Sequence, residues 1–175
     1  WFMTSTAYEN GSQYLSSVTD EFGNTTENLT NEVVGLITEV EDAIGDTKTF
    51  VYDEYGNLVT TTQTDVSSSV SIVASYEYDN QGRLVIIQRD GYYYEFVYDT
   101  NLNQLKYIRI NDGSTYENMM SYDYWEETVS STTYYTNLLK QQTYGNGDYL
   151  YFTYTDNDQI KTISFNGTIR YEYNY

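Results

Sequence analysis

The 175 residues contain no cysteine, no histidine and no proline. Without cysteine there is no disulfide framework and no thiol redox pair, and without histidine as well there is no Cys/His zinc site. Catalytic groups of the Ser-His-Asp or Cys-His kind are excluded for the same reason. Basic residues are scarce: 8 Lys and Arg stand against 26 Asp and Glu, a formal net charge of -18. Such a surface repels phosphate backbones and anionic lipid, so neither nucleic acid nor membrane insertion is expected. It favours divalent cations, basic proteins or neutral sugars, or it serves as the solubilising coat of a Tyr-rich β protein. No apolar run approaches membrane-spanning length. Trp1 follows no basic n-region, so the chain reads as a fragment or a mature segment. Alanine occurs only at Ala7, Ala43 and Ala74.

What is abundant is tyrosine. Of the 31 aromatic residues (2 Trp, 23 Tyr and 6 Phe), most are Tyr, and mean hydropathy is low at -0.62. Any core must therefore be built largely from tyrosine. Thr, Tyr, Val and Ile favour a pleated, half-buried surface, which predicts strands before any window is read. One short helix is conceivable at 31–41, but Gly35 interrupts it and Val33, Val34, Ile37 and Val40 are β-branched, so a pair of strands fits as well.

The chain repeats itself. Phe50-Val-Tyr52-Asp53-Glu-Tyr-Gly56-Asn-Leu58 returns as Tyr76-Glu-Tyr78-Asp79-Asn-Gln-Gly82-Arg-Leu84. Phe96-Val-Tyr98-Asp99 leads, without a glycine, to Leu105. Met120-Ser-Tyr122-Asp123, Phe152-Thr-Tyr154 to Ile160, and Tyr171-Glu-Tyr173-Asn174 read as further copies, with Tyr135 as a decayed one. The steps run from 19 to 26 residues, apart from the 13 between Tyr122 and Tyr135. In each unit the alternation places an aromatic and a Tyr on one strand face. Asp-x-x-Gly reads as a turn capped by the Asp and closed by the Gly, and the Leu or Ile opens the return strand. Asp90-Gly91, Asp112-Gly113, Gly145-Asn146-Gly147 and Asn166-Gly167 supply the second turn, so one unit is one hairpin. Residues 1–49 use a variant, with Val18-Thr-Asp20-Glu-Phe-Gly23-Asn-Thr and Val40-Glu-Asp42-Ala-Ile-Gly45-Asp-Thr 22 residues apart. The Ser- and Thr-rich stretch 60–75 reads as an extended tip or loop.

Tyr78-Asp-Asn-Gln-Gly-Arg-Leu84 resembles the YD repeat of the Rhs family, and Val18 to Thr26 resembles its companion segment. The resemblance extends over 1–175 as a single array, with 1–49 of the variant type and 50–175 of the Tyr-Asp type. It implies an all-β fold: antiparallel hairpins in a curved, spiralling sheet, a solenoid or partial β-shell. Relatives include bacterial polymorphic toxins, insecticidal toxin complexes and teneurins. By that resemblance the function is structural and non-enzymatic: part of a shell or stalk that encloses or presents a toxin, on a secreted or bacterial surface protein. The implied partners are further YD repeats and an enclosed C-terminal toxin. The family's self-cleavage segment contains proline, and this chain has none.

The structural positions read from the repeat are Tyr52, Asp53, Gly56, Leu58, Tyr78, Asp79, Gly82, Leu84, Tyr98, Asp99, Tyr122, Asp123, Tyr154 and Ile160. The Tyr ladder is read as packing between hairpins. Tyr92, Tyr93, Tyr94, Tyr149 and Tyr151 place aromatics on both strand faces, so they are the candidates for an alternative role, a cell-surface carbohydrate- or protein-binding module. The turn aspartates are read as caps, and Asp156-Asn-Asp158 matches no Ca²⁺ loop, so no metal or cofactor is expected. Glu126-Glu127 beside Trp125 is the one carboxylate pair next to a tryptophan, the least favoured reading being a glycosidase. Sequons at Asn10, Asn24, Asn28 and Asn166 follow from composition. The unpaired strand edges of such an array predict edge-to-edge self-association.

Overall fold

A computed structural model describes residues 4–9, 11, 13–99 and 103–175. The sequon at Asn10, the middle of the third copy at 100–102 and the side chain of Tyr135 lie outside the described residues. Those residues form fifteen strands and no helix, and none of them belongs to a helix long and apolar enough to cross a membrane.

Two compact units divide the chain, residues 1–91 and 92–175. In the first, eight strands pair antiparallel in chain order: β1 (Ser5–Tyr8), β2 (Leu15–Thr19), β3 (Thr25–Asn31), β4 (Leu36–Glu41), β5 (Thr47–Tyr52), β6 (Leu58–Asp65), β7 (Val70–Tyr78) and β8 (Leu84–Arg89). The second holds β9 (Tyr92–Tyr98), β10 (Leu105–Asn111), β11 (Tyr116–Val129), β12 (Thr132–Tyr144), β13 (Tyr149–Tyr154), β14 (Ile160–Phe165) and β15 (Thr168–Glu172), again paired in chain order. The all-β, antiparallel hairpin array expected from the repeats is what the structure holds.

No helix forms at 31–41. Asn31 caps a turn, its Oδ1 accepting from the Val33 amide at 3.0 Å while Gly35 N–H donates to the Asn31 carbonyl at 2.7 Å. The β-branched residues on either side then extend as β3 and β4. The stretch 60–75 is not a loop either. Most of it is the long hairpin β6–β7, and only 66–69 form the tip, capped by Asp65. Thr and Ser in succession suit a strand exposed on both faces, which is why their polarity misleads.

Each unit has a more apolar face. In the second, the register aligns Phe96 with Ile108, Ile108 with Met120, Met120 with Tyr144, Leu150 with Phe165 and Phe152 with Ile163. In the first, Phe50, Ala74, Tyr76 and Ile87 share one face, while Thr47, Thr49, Thr60, Thr62 and Glu77 occupy the other. Burial is shallow. Ala74 is the one buried apolar residue among those described, with Thr30 and Ser164 the buried polar ones. The accessible surface is 12442 Å², against about 8,800 Å² for a compact monomer of this mass. Stability therefore lies in strand pairing and cross-strand contacts, such as Thr19 Oγ1 to Thr25 Oγ1 at 2.9 Å and Thr153 Oγ1 to Thr162 Oγ1 at 2.6 Å.

Candidate functional site

One arrangement recurs at the turn after every odd-numbered strand from β1 to β13. A residue at or near the strand's end pairs with an aliphatic residue at or near the start of the next, save that Tyr124 and Leu139 lie inside β11 and β12, and the register shifts beside the pair. The pairs are Tyr8–Leu15, Thr30–Ile37, Tyr52–Leu58, Tyr78–Leu84, Tyr98–Leu105, Tyr124–Leu139 and Tyr154–Ile160. The shift is a β-bulge, which turns the Tyr side chain toward the preceding repeat. There its hydroxyl donates to the backbone carbonyl of that repeat's aliphatic residue. Tyr52 reaches Ile37 O, Tyr78 reaches Leu58 O, Tyr124 reaches Leu105 O and Tyr154 reaches Leu139 O, each at 2.9 Å, and Tyr175 reaches Ile160 O at 3.1 Å. Five tyrosines of the ladder thus act as hydroxyl latches, each closing its hairpin onto the one before. Burial raises the phenol pKa of Tyr78, Tyr124 and Tyr154 above the ordinary tyrosine value.

The latch shifts two copies by two residues from the sequence alignment. Tyr122 donates to Met120 Sδ at 3.3 Å, while Tyr124 makes the carbonyl bond. Asp123 lies within β11 and pairs with Gln141, so no turn follows it. The copies are Tyr122-Asp-Tyr124 and Tyr173-Asn-Tyr175, matching Phe50-Val-Tyr52. Asp123 and Asn174 each follow a tyrosine and imitate the Tyr-Asp signature. In the first, the aromatic two residues upstream separates them, since Tyr122 precedes Tyr124 while Met120 precedes Tyr122; in the second it does not, since Tyr171 stands before Tyr173 as Tyr173 does before Tyr175.

The turns are built by their first residue. Asp53 Oδ1 accepts from the amides of Tyr55 and Asn57 at 2.9 and 2.8 Å, and Asn57 Nδ2 donates to its other oxygen at 2.9 Å. Asp79 does the same for Gln81 and Arg83, with Arg83 Nε 2.6 Å from Oδ2. Asp20 and Asp42 cap alike at turns after even-numbered strands, so the variant segments place this turn at the other end of the hairpin. Hydrogen bonds hold the Asp20, Asp53 and Asp79 carboxyls below the usual aspartate range, those from Asn24, Asn57 and Arg83 acting most. Gly56 has φ of 86° and its amide bonds the Asp53 carbonyl, the left-handed position that the turn requires. At 155–159, Thr155 takes the place of the Asp and Asp158, at φ 59°, that of the Gly. Asp99 bonds through its backbone to Asn103 and Gln104. No group of carboxylates among the described residues could hold a metal ion.

The five tyrosines proposed as a sugar platform are dispersed. Tyr92 and Tyr94 lie on the face of Phe96, Tyr93 on the other. Tyr149 and Tyr151 share the face of Tyr93, but four strands away, about 19 Å. Tyr151 is also engaged, edge-on to Trp125 with ring centres 5.9 Å apart. Trp125 Nε1 donates to Phe152 O at 3.2 Å. Glu126 and Glu127 line an open cleft beside it with Asp156 and Asp158.

Residues 33–70 match the family model described as RHS Repeat. No curated protein sequence matches the chain. Two crystal structures share its fold. That of TcdB2-TccC3-Cdc42 is similar with a TM-score of 0.59 and 11% identity over 98% of this chain. That of TcdB2-TccC3 is similar with a TM-score of 0.62 and 15% identity over 91%. This chain spans 11% and 8% of theirs. Residues 33–70 thus carry a match to the RHS repeat, and the chain as a whole shares the fold of these two structures.

Proposed function

We propose that the chain is a non-enzymatic structural segment, a stretch of wall in an Rhs-repeat shell or stalk on a secreted protein. The observation that carries this reading is the latch. Five tyrosines that could face a ligand are used instead to close one hairpin onto the next, and Asp20, Asp42, Asp53 and Asp79 to cap their own turns. Sheets with one more apolar face suit a wall whose other contacts are further repeats and, on the family resemblance, an enclosed toxin. The separation of Tyr93 from Tyr149 and Tyr151 supports packing over a carbohydrate platform.

The test is a graft. The segment of TcdB2-TccC3 that superposes on this chain is exchanged for it, beside a control in which the native segment is re-joined at the same boundaries. A wall segment yields a chimera that folds and shows the control's sheet by electron cryo-microscopy. A chimera that aggregates or lacks density at the graft while the control folds contradicts the proposal.

A further inference from the structure

The repeat needs five or six residues between its latch residue and the aliphatic partner, as at 53–57, 79–83 and 155–159. Between Tyr124 and Leu139 there are fourteen, 125–138. They form a two-stranded ribbon that extends β11 and β12 past the latch with its tip at Ser130-Ser131, both at positive φ. A wall does not require this ribbon, yet its base is fastened on both sides. Gln104 Nε2 donates to Thr136 O at 2.7 Å and to Asn137 Oδ1 at 3.0 Å, and Trp125 Nε1 holds Phe152 O. Thr136 Oγ1 closes the base on Trp125 O at 2.9 Å.

Between the fastened ribbon and the 155–159 turn is an open cleft of about 490 Å³. Trp125, Leu138 and Tyr154 give it apolar walls. Four carboxylates, Glu126, Glu127, Asp156 and Asp158, line it, and no Lys or Arg does. The indole already attracts a cation: the Lys140 ammonium lies 5.2 Å from its ring centre. Among the described residues no strand pairs with the ribbon's outer edges beyond Tyr124 and Gln141. Carboxylates above an apolar floor fit an ammonium or guanidinium on an aliphatic stem, and an unpaired strand edge accepts an extended backbone.

We infer that the ribbon is a docking arm and that the Trp125 cleft receives the Lys or Arg side chains of an extended basic peptide segment of a partner protein. The free charge and the free strand edge favour a peptide over a diffusible amine.

The test uses the whole chain with Trp1→Phe, which leaves Trp125 as the one tryptophan reporter. A blocked Lys-Thr-Lys-Thr-Lys peptide is titrated at low salt. The expected result is a saturable change in Trp125 fluorescence that Glu127→Gln with Asp156→Asn weakens at least tenfold. Glu39→Gln with Glu77→Gln, which removes the same charge from the other unit, weakens it less than twofold. Equal weakening by both pairs makes the binding a general effect of net charge and overturns the inference. So does an unsaturable signal, an equal response to spermidine, or binding of a neutral oligosaccharide in place of the peptide.

Discussion

A tyrosine hydroxyl is a small group to hold a repeat in place, and its share can be measured. A net hydrogen bond contributes about 0.5–1.5 kcal/mol. Tyr124→Phe removes the donor to Leu105 O and is expected to cost about 1 kcal/mol in denaturant unfolding. Tyr122→Phe loses only a bond to a thioether and is expected to cost a fraction of that. Equal costs would refute the two-residue shift of this copy. The half-buried phenols predict an alkaline limit. The Tyr78, Tyr122, Tyr124 and Tyr154 phenols have folded pKa values raised above 10.0, chiefly by burial. Their contribution is fully present below pH 10.0 and is lost as pH rises through the raised values. A spectrophotometric titration should show this group ionising last, together with unfolding. At the acid end the sign reverses. The capping carboxyls of Asp20, Asp53 and Asp79 are lowered from 3.8, so their contribution is present above that value and lost as pH falls through the depressed one. Melting temperature should hold steady above about pH 5 and fall below 3.8, and Asp53→Asn should flatten that fall. The caps and their Gly partners were legible in the sequence because a turn depends on neighbours. The latch acceptor was not, since a backbone carbonyl 15 to 20 positions away leaves no residue signature.

Hairpins were the element the sequence displayed best, through Asp-x-x-Gly, Asn-Gly and Asp-Gly at regular intervals. Elements without such marks were harder. The β6–β7 hairpin is Thr- and Ser-rich on both sides of its tip, so its polarity resembled a loop. The ribbon at 125–138 was hidden by alternation itself, since Tyr122-Asp-Tyr124 offers two tyrosines two apart and leaves the register free to slide by two. Only the latch and the Tyr124–Leu139 pair fix it. Excision tests the ribbon's standing as an insertion. Replacing 125–138 with the five-residue turn Asp-Asn-Gln-Gly-Arg of 79–83 should leave a folded chain, its melting temperature lowered by roughly 2–4 °C through loss of the Trp125 and Gln104 tethers. A chain that cannot fold would make the ribbon part of the repeat. Nearby, Gly145 tolerates nothing larger: a Cβ there would stand 2.6 Å from Asn118 O. Gly145→Ala is expected to cost about 1–3 kcal/mol through displaced backbone in β11.

Among the described residues Ala74 is the one buried apolar side chain, and the composition made so shallow a burial legible early. Tyrosine and threonine cannot fill a dry interior, but they cover a sheet that is half wet on both faces. The division at Gly91 was not legible, because the repeat runs through it unbroken and Asp90-Gly91 looks like any other turn. A strip of this kind behaves as a chain of nearest neighbours, each hairpin stabilised by the ones beside it. Loss of one latch should then be felt locally and not across the array. The measurement that tests this most directly is residue-resolved amide hydrogen exchange of the chain and of Tyr154→Phe. The account predicts faster exchange in β12, β13 and β14, which flank the lost bond to Leu139 O, with protection in β5 to β8 unchanged. A uniform loss of protection across all strands would show a single cooperative core and contradict the strip.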